Sequence, residues 1–154
     1  MYVNIVNPQD GICLSNKNIL THVLTTVFKN TPVPAFYLYH VDKFLTIIIE
    51  LFNNSSFRML DEYLCLNKPT FGKSPALSFV VYHNHTSLTN YVLGKISIDD
   101  IAVAPFKLAS EIGNMDIIRL FCQKDTKRFY IKANGKPAVR TRKQQEEFLE
   151  VIEL

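Results

Sequence analysis

Residues 91–122 read YVLGKISIDDIAVAPFKLASEIGNMDIIRLFC, and this stretch decides the fold that the sequence predicts. Apolar residues recur at helical spacing over Ile101–Ile112 and again over Met115–Cys122. Pro105 fits the first turn of the first helix, where its missing N–H is not needed. Gly113 fits the end of that helix, because glycine readily adopts positive φ angles. We therefore expect two helices joined by a short turn.

The residues before this stretch predict a mixture of strands and helices. Tyr2–Val6 alternates like a strand, and Ile12–Leu14 can return from a turn as a second strand. The spacing of apolar residues over Ile19–Phe28 predicts a helix. Phe36–Tyr39 is expected to be a third strand, followed by a buried helix over Val41–Phe52.

The middle of the chain has weaker signals. A short helix is possible over 57–65, a strand is plausible over Leu77–Tyr82, and a helix is expected over Leu88–Leu93, ending near Gly94. No internal repeat is evident in the sequence.

The last thirty residues predict a β-hairpin and a helix. Arg128–Lys132 and Lys136–Arg140 flank Asn134-Gly135, a pair that suits the positive φ angles of a type I′ turn. Thr141 can cap the final helix.

Charge is distributed very unevenly. Residues 1–123 carry nine basic and nine acidic groups, whereas residues 124–143 carry eight basic groups and one acidic group. Residues 144–154 carry four glutamates and no base. The basic excess therefore lies in the predicted hairpin, which suits contact with acidic or anionic partners.

The order of elements resembles the BTB/POZ fold of elongin C- and Skp-like adaptors. The similarity covers residues 1–54 and 91–122, and it rests on hydrophobic patterns. Those patterns are Met1-Tyr2-Val3, Asp10-Gly11, Val33-Pro34 before Phe36–Tyr39, Gly94–Ile98, Phe106–Ala109 and Ile112-Gly113-Asn114.

The resemblance implies an α/β (α+β) domain over residues 1–123, with a three-stranded sheet and packed helices. Residues 124–154 would be a basic hairpin and helix appended to it. The implied function is a non-enzymatic protein–protein interaction adaptor, such as a scaffold for a cullin-type ubiquitin ligase, with a cullin-like protein, a client peptide or a second copy as partner. The residues expected to line the closing helices, one or two of them exposed for docking, are Phe106, Leu108, Ile112 and Met115.

The alternative is a nucleic-acid-binding protein of winged-helix type. In this reading the two helices of residues 101–122 resemble a helix-turn-helix, and the basic hairpin is its wing. The side chains expected to contact phosphates or bases are Lys127, Arg128, Tyr130, Lys132, Lys136, Arg140, Arg142 and Lys143.

No catalytic constellation is evident, so the sequence predicts no enzyme, cofactor or metal. His83 and His85 could hold a metal if they shared a strand face, but a polar strand end is the favoured interpretation. Cys13, Cys65 and Cys122 have no flanking base that would activate a nucleophile. Three widely spaced cysteines also predict a reducing, intracellular location, cytoplasmic or nuclear. No segment is apolar for long enough to suggest a membrane span.

Overall fold

The structure is a computed structural model that describes residues 35–66 and 74–153. The chain divides into two compact units, Met1–Phe79 and Val80–Leu154. Two short strands, β1 and β2, pair antiparallel with Tyr130 opposite Ala138, and a 3₁₀-helix covers Ile98–Asp100. The bounds of the helices and strands are α1 Ala35–Asn53, α2 Phe57–Tyr63, α3 Ser74–Tyr82, α4 Thr86–Gly94, α5 Val103–Ile112, α6 Met115–Lys124, β1 Phe129–Ile131, β2 Pro137–Val139 and α7 Arg142–Glu153.

The described helices before the hairpin form three helix pairs, α1–α2, α3–α4 and α5–α6, with one shared spacing. The second helices α2, α4 and α6 begin 29 residues apart. Two residues before each of these starts, the backbone takes a positive φ, which is 57° at Ser55, 59° at Asn84 and 83° at Gly113. The repeat is one of helix spacing and backbone conformation, and it is not visible as a repeat of residue types in the sequence.

The turn between the helices of a pair is built from backbone hydrogen bonds. The Ser56 N–H donates to the Leu51 carbonyl at 2.9 Å, and the His85 N–H donates to the Val80 carbonyl at 3.1 Å. This bond across six residues, with a positive φ inside it, is the Schellman arrangement that ends a helix. At the third turn the bond runs instead from the N–H of Gly113 to the Ala109 carbonyl at 2.9 Å. All three turns thus satisfy a carbonyl at the helix end next to one residue with a positive φ.

Burial repeats with the same period in the second and third helix pairs. Six residues of the second pair and the six residues 29 positions later in the third pair are all buried, although the residue types differ between equivalent positions. The equivalent positions are Leu77 and Phe106, Phe79 and Leu108, Val80 and Ala109, Leu88 and Ile117, Thr89 and Ile118, and Val92 and Phe121.

In the first unit, α1 packs against α2 around aromatic side chains. The Phe44 ring lies edge-on to the Phe79 ring, with centroids 5.3 Å apart, and its centroid is 6.3 Å from that of Tyr63. Ile48, one turn further along α1, is completely buried.

The predicted fold class is wrong. The described part of the chain is mostly helical, and its sheet has two antiparallel strands, not the three of a BTB/POZ-like α/β domain. The predicted strand Phe36–Tyr39 lies within α1, because no glycine or proline separates it from the apolar helix that follows. The predicted strand Leu77–Tyr82 lies within α3, where Leu77–Val81 are all buried. A short segment buried on every side has the same apolar pattern in a helix as in a strand.

Several local predictions are confirmed. These are the short helix that starts at Phe57, the helix ending at Gly94, the two helices joined at Gly113, the hairpin and the helix that follows Thr141. The turn type of the hairpin is wrong, because Gly135 has a φ of 84° while Asn134 has no positive φ. The Lys132 N–H donates to the Lys136 carbonyl, so three residues form the loop, with glycine in the left-handed position. The predicted strands Tyr2–Val6 and Ile12–Leu14 and the helix Ile19–Phe28 lie outside the described residues.

Adjacent isoleucines in α1 provide a test of the first unit. We expect Ile48→Ala to lower the free energy of unfolding by about 2–5 kcal/mol, because a buried aliphatic side chain leaves a cavity. Its neighbour Ile47 is 37% exposed, so Ile47→Ala should cost less than about 1 kcal/mol. Urea unfolding followed by circular dichroism measures both, and equal losses would show that α1 buries a different face.

Candidate interaction surface

The second and third helix pairs are joined at their turns by one side chain. α4 packs against α6. The Oδ1 of Asn114 accepts from the Ile117 N–H at 3.1 Å and so caps α6, while its Nδ2 donates to the Oδ1 of Asn84 at 2.6 Å. His85 caps α4 in the same way, with Nδ1 accepting from the Leu88 N–H at 3.1 Å. A single amide therefore both starts a helix and ties its turn to the preceding one.

The hairpin is anchored to the third helix pair by an aromatic cluster. Phe129 of β1 is buried, and its ring stacks on that of Phe106 of α5 with centroids 4.4 Å apart. The ring of Phe121 of α6 lies edge-on to Phe129 at 5.7 Å. Such aromatic pairs contribute about 0.5–1.5 kcal/mol beyond the area they bury. The predicted domain boundary after residue 123 thus separates Phe129 from its packing partners, and whether residues 1–123 fold alone stays a prediction.

An ion pair fixes the start of the hairpin. The Asp125 side chain is only 6% exposed, and its Oδ2 accepts from Nε of Arg128 at 3.0 Å. Its Oδ1 accepts from the backbone N–H of Arg128 at 3.1 Å. The same guanidinium donates through Nη2 to the carbonyl of Ile101 at 2.6 Å. Arg128 is therefore held by structural contacts on both sides.

Arg140 joins the hairpin to α7. Its guanidinium carbon lies 4.3 Å from the ring centroid of Tyr130 and 4.0 Å from that of Phe148. Its Nη1 also donates to the carbonyls of Thr126 at 2.7 Å and Lys127 at 3.2 Å. Cation–π contacts and hydrogen bonds to carbonyls together hold this side chain in one position.

α7 begins with a reciprocal cap, which confirms the predicted role of Thr141. The Oγ1 of Thr141 accepts from the Gln144 N–H at 3.2 Å, and the Thr141 N–H donates to Oε1 of Gln144 at 2.8 Å. This arrangement satisfies two backbone donors that would otherwise lack partners at the start of the helix.

The remaining basic side chains form what we call the basic surface, defined by Lys127, Lys132, Lys136, Arg142 and Lys143. All five residues are exposed. Arg142 pairs with Glu146 of its own helix at 3.8 Å, and its side chain is 95% exposed. Among the described residues, the four lysine side chains make no hydrogen bond or ion pair. Lys132 and Lys136 are opposite each other at the end of the hairpin, a like-charge arrangement that costs stability.

The sequence-predicted contact residues thus separate into two groups. Arg128, Tyr130 and Arg140 lie in the internal contacts of the hairpin, and the basic surface holds the other five. Of the residues expected on the closing helices, Phe106 and Leu108 are buried, Met115 is half-buried and Ile112 is 40% exposed.

Sequence reasoning missed Tyr82, which is 39% exposed and ends α3 as Ile112 ends α5. The 29-residue spacing pairs Tyr82 with Glu111 of α5, which is also exposed, so the repeat marks this position as part of the surface.

The histidines and cysteines lie in structural positions. His83 and His85 lie in the turn between α3 and α4, not on a strand. Cys65 is buried, and burial raises the pKa of the Cys122 thiol against the opposing effect of the Arg140 guanidinium. Within the described ranges, no three His, Cys, Asp or Glu side chains are grouped closely enough to hold a metal ion.

No protein-family model, curated protein or solved structure matches this chain. None of the helices in the described residues has the length and apolar character needed to cross a bilayer.

The role of Arg140 can be tested by comparing the stability of an Arg140 variant with that of a variant at Arg142, two residues further along the chain. We expect Arg140→Ala to lower the free energy of unfolding by about 1–3 kcal/mol, because two carbonyls and two rings lose their shared partner. Arg142→Ala should change it by less than about 0.5 kcal/mol, since that side chain is exposed. Thermal melts of both variants measure the difference, and equal melting temperatures would contradict the anchoring role.

Proposed function

We propose that this chain is a non-enzymatic protein-binding adaptor whose helix pairs present the contact surface. The observation that supports this most is the 29-residue period of the second helices, with the same positive-φ turn before each. Arrays of helix pairs expose extended surfaces made from equivalent positions of successive pairs, and such surfaces bind other proteins.

Two exposed apolar residues mark the part of this surface that a partner would cover. Tyr82 and Ile112 end the first helices of the second and third pairs. The hydrogen bond between Asn84 and Asn114 holds the adjoining turns together. Aromatic and aliphatic side chains that lose water on binding are typical of the centres of protein interfaces.

The expected cullin partner rested on the BTB/POZ resemblance, and the described residues lack the three-stranded sheet which that resemblance implies. The described fold therefore supports protein binding in general and gives no ground for a cullin partner in particular. An intracellular location, cytoplasmic or nuclear, belongs to the proposal and is supported by the three widely spaced cysteines. The Nδ1 of His85 accepts from the Leu88 N–H, and burial raises the pKa of the Cys122 thiol, so these two groups are not arranged as a base and a nucleophile.

Affinity capture from cell extract tests the proposal. We expect the double substitution Tyr82→Ser, Ile112→Ser to reduce capture of a specific partner at least about tenfold, because two central apolar contacts are lost. Ile98→Ser is the matched control, since Ile98 is 49% exposed but lies outside the helix pairs. Equal capture by all three proteins, or no reproducible partner, would contradict the proposal.

Nucleic-acid binding is the second candidate, and the lysines of the basic surface favour it. The order α5, turn, α6, hairpin matches a helix-turn-helix with a wing. However, Arg119 of α6 is engaged with Asp116 at 3.3 Å, and Arg140 lies against the ring of Tyr130. Contact would therefore be limited to phosphates, with few groups available to read or stack on bases.

Duplex DNA of random sequence tests this second candidate. Binding through the basic surface should weaken with salt, with a slope of about −0.9 per phosphate contact in a double-logarithmic plot. The double variant Lys132→Ala, Lys136→Ala should lose about two phosphate contacts and so show a shallower slope. Lys107→Ala on α5 should leave the slope unchanged. Fluorescence anisotropy measures the slope, and an unchanged slope for the double variant would exclude this hairpin as the binding surface.

A further inference from the structure

We propose that the C-terminal hairpin and α7 form a two-fold homodimer interface. In this dimer the two α7 helices lie antiparallel, and α7 of each copy contacts the basic surface of the other copy. This inference does not depend on which partner the helix pairs bind.

The first observation is that α7 packs very little of its surface within its own chain. From Arg142 to Val151 no residue is buried, and only Gln145 and Phe148 are half-buried. Leu149 is 38% exposed and Val151 is 70% exposed. A helix gains most of its stability in proteins from burying an apolar face, so the exposed side of α7 lacks the cover that such a face normally has.

The second observation is the order of charges along α7. The helix begins with Arg142 and Lys143 and continues with Glu146, Glu147 and Glu150. Positive charge at the N-terminus and negative charge toward the C-terminus is the reverse of what the helix dipole favours. An antiparallel second copy places basic ends beside acidic ends and opposes the two dipoles, so the same charges become stabilising.

The third observation is that the basic and acidic parts of the C-terminal region barely neutralise each other. Among the described residues, the ion pair that involves a glutamate of α7 is the intrahelical contact of Arg142 with Glu146. Lys132 and Lys136 oppose each other at the hairpin tip without an acidic neighbour. A surface whose basic and acidic groups are mostly unpaired can face the same surface of an identical copy with opposite charges in contact, as a two-fold interface requires.

A groove between the hairpin and α7 adds a place for an apolar side chain. Its volume is about 300 Å³, and it is lined by Tyr130, Arg140, Gln144, Glu147, Phe148 and Val151. Leu149 of a second copy has the size and chemistry to enter it and contact its apolar lining, since Arg140 is already engaged by the rings of Tyr130 and Phe148. Apolar contacts at the centre with charges at the rim are the usual composition of a protein interface.

The position of α7 along the chain fits the same interface. α7 starts 27 residues after α6, close to the 29-residue spacing of the earlier second helices, and the hairpin lies where a first helix would lie. Leu149 and Val151 of α7 are exposed, so both side chains are available to a second copy.

Sedimentation of the full chain at increasing concentrations and at low and high salt provides the first test. We expect a concentration-dependent dimer at low salt that weakens as salt rises. Leu149→Asp, Val151→Asp should raise the dissociation constant at least about tenfold, because charge replaces the central apolar contacts. Glu111→Lys, at an exposed position of α5, is the control and should leave the dimer intact. Circular dichroism checks that every variant is folded.

A charge exchange distinguishes this specific interface from nonspecific association. The variant Lys132→Glu, Lys136→Glu has an acidic hairpin and an acidic helix, and Glu147→Lys, Glu150→Lys has a basic hairpin and a basic helix. We expect each to be monomeric alone, and an equimolar mixture to form a heterodimer, because both contacts then join opposite charges. A monomeric wild-type chain at all concentrations, or two variants that fail to restore each other, would overturn the proposal.

Discussion

The described structure depends on a backbone constraint at the turn inside each helix pair. The chain can pass from the first helix to the second within three residues only if one residue adopts a left-handed conformation. Ser55, Asn84 and Gly113 do so. Serine and asparagine pay a steric cost there that glycine does not, and the Schellman bonds at Ser56 and His85 compensate by satisfying carbonyls at the helix ends. The direction of every second helix follows from this turn.

The turn also explains which parts of the fold the sequence could predict. The left-handed position of the third turn is occupied by a glycine, Gly113, which marks the end of a helix in a sequence. The third turn and both of its helices were therefore predicted correctly. The equivalent residues Ser55 and Asn84 share no residue type with Gly113 or with each other, and the equivalent core positions are alike in burial but not in residue type. Leu77 is matched by Phe106, and Thr89 by Ile118. A repeat carried by backbone geometry and burial leaves little trace in the order of amino acids.

The strands that proved wrong have a related cause. Leu77–Val81 is short and buried on all sides, so neither a period of two nor a period of 3.6 can appear in its pattern. The candidate surface was predicted only in part. Exposed lysines follow directly from composition, whereas the sequence could not show that Arg128 and Arg140 are engaged by Asp125, Tyr130 and Phe148. Those engagements depend on contacts between residues that come together only in the folded chain.

The double use of Asn114 has a consequence for how the second unit opens. In arrays of helix pairs, stability is approximately the sum of each pair's own contribution and the coupling to its neighbour. The amide of Asn114 caps α6 and bonds the turn of the preceding pair, so α6 cannot lose its cap without also releasing the turn at Asn84. The amide protons of α4 and α6 should therefore exchange with solvent as one cooperative group, and not in sequence from the C-terminal end.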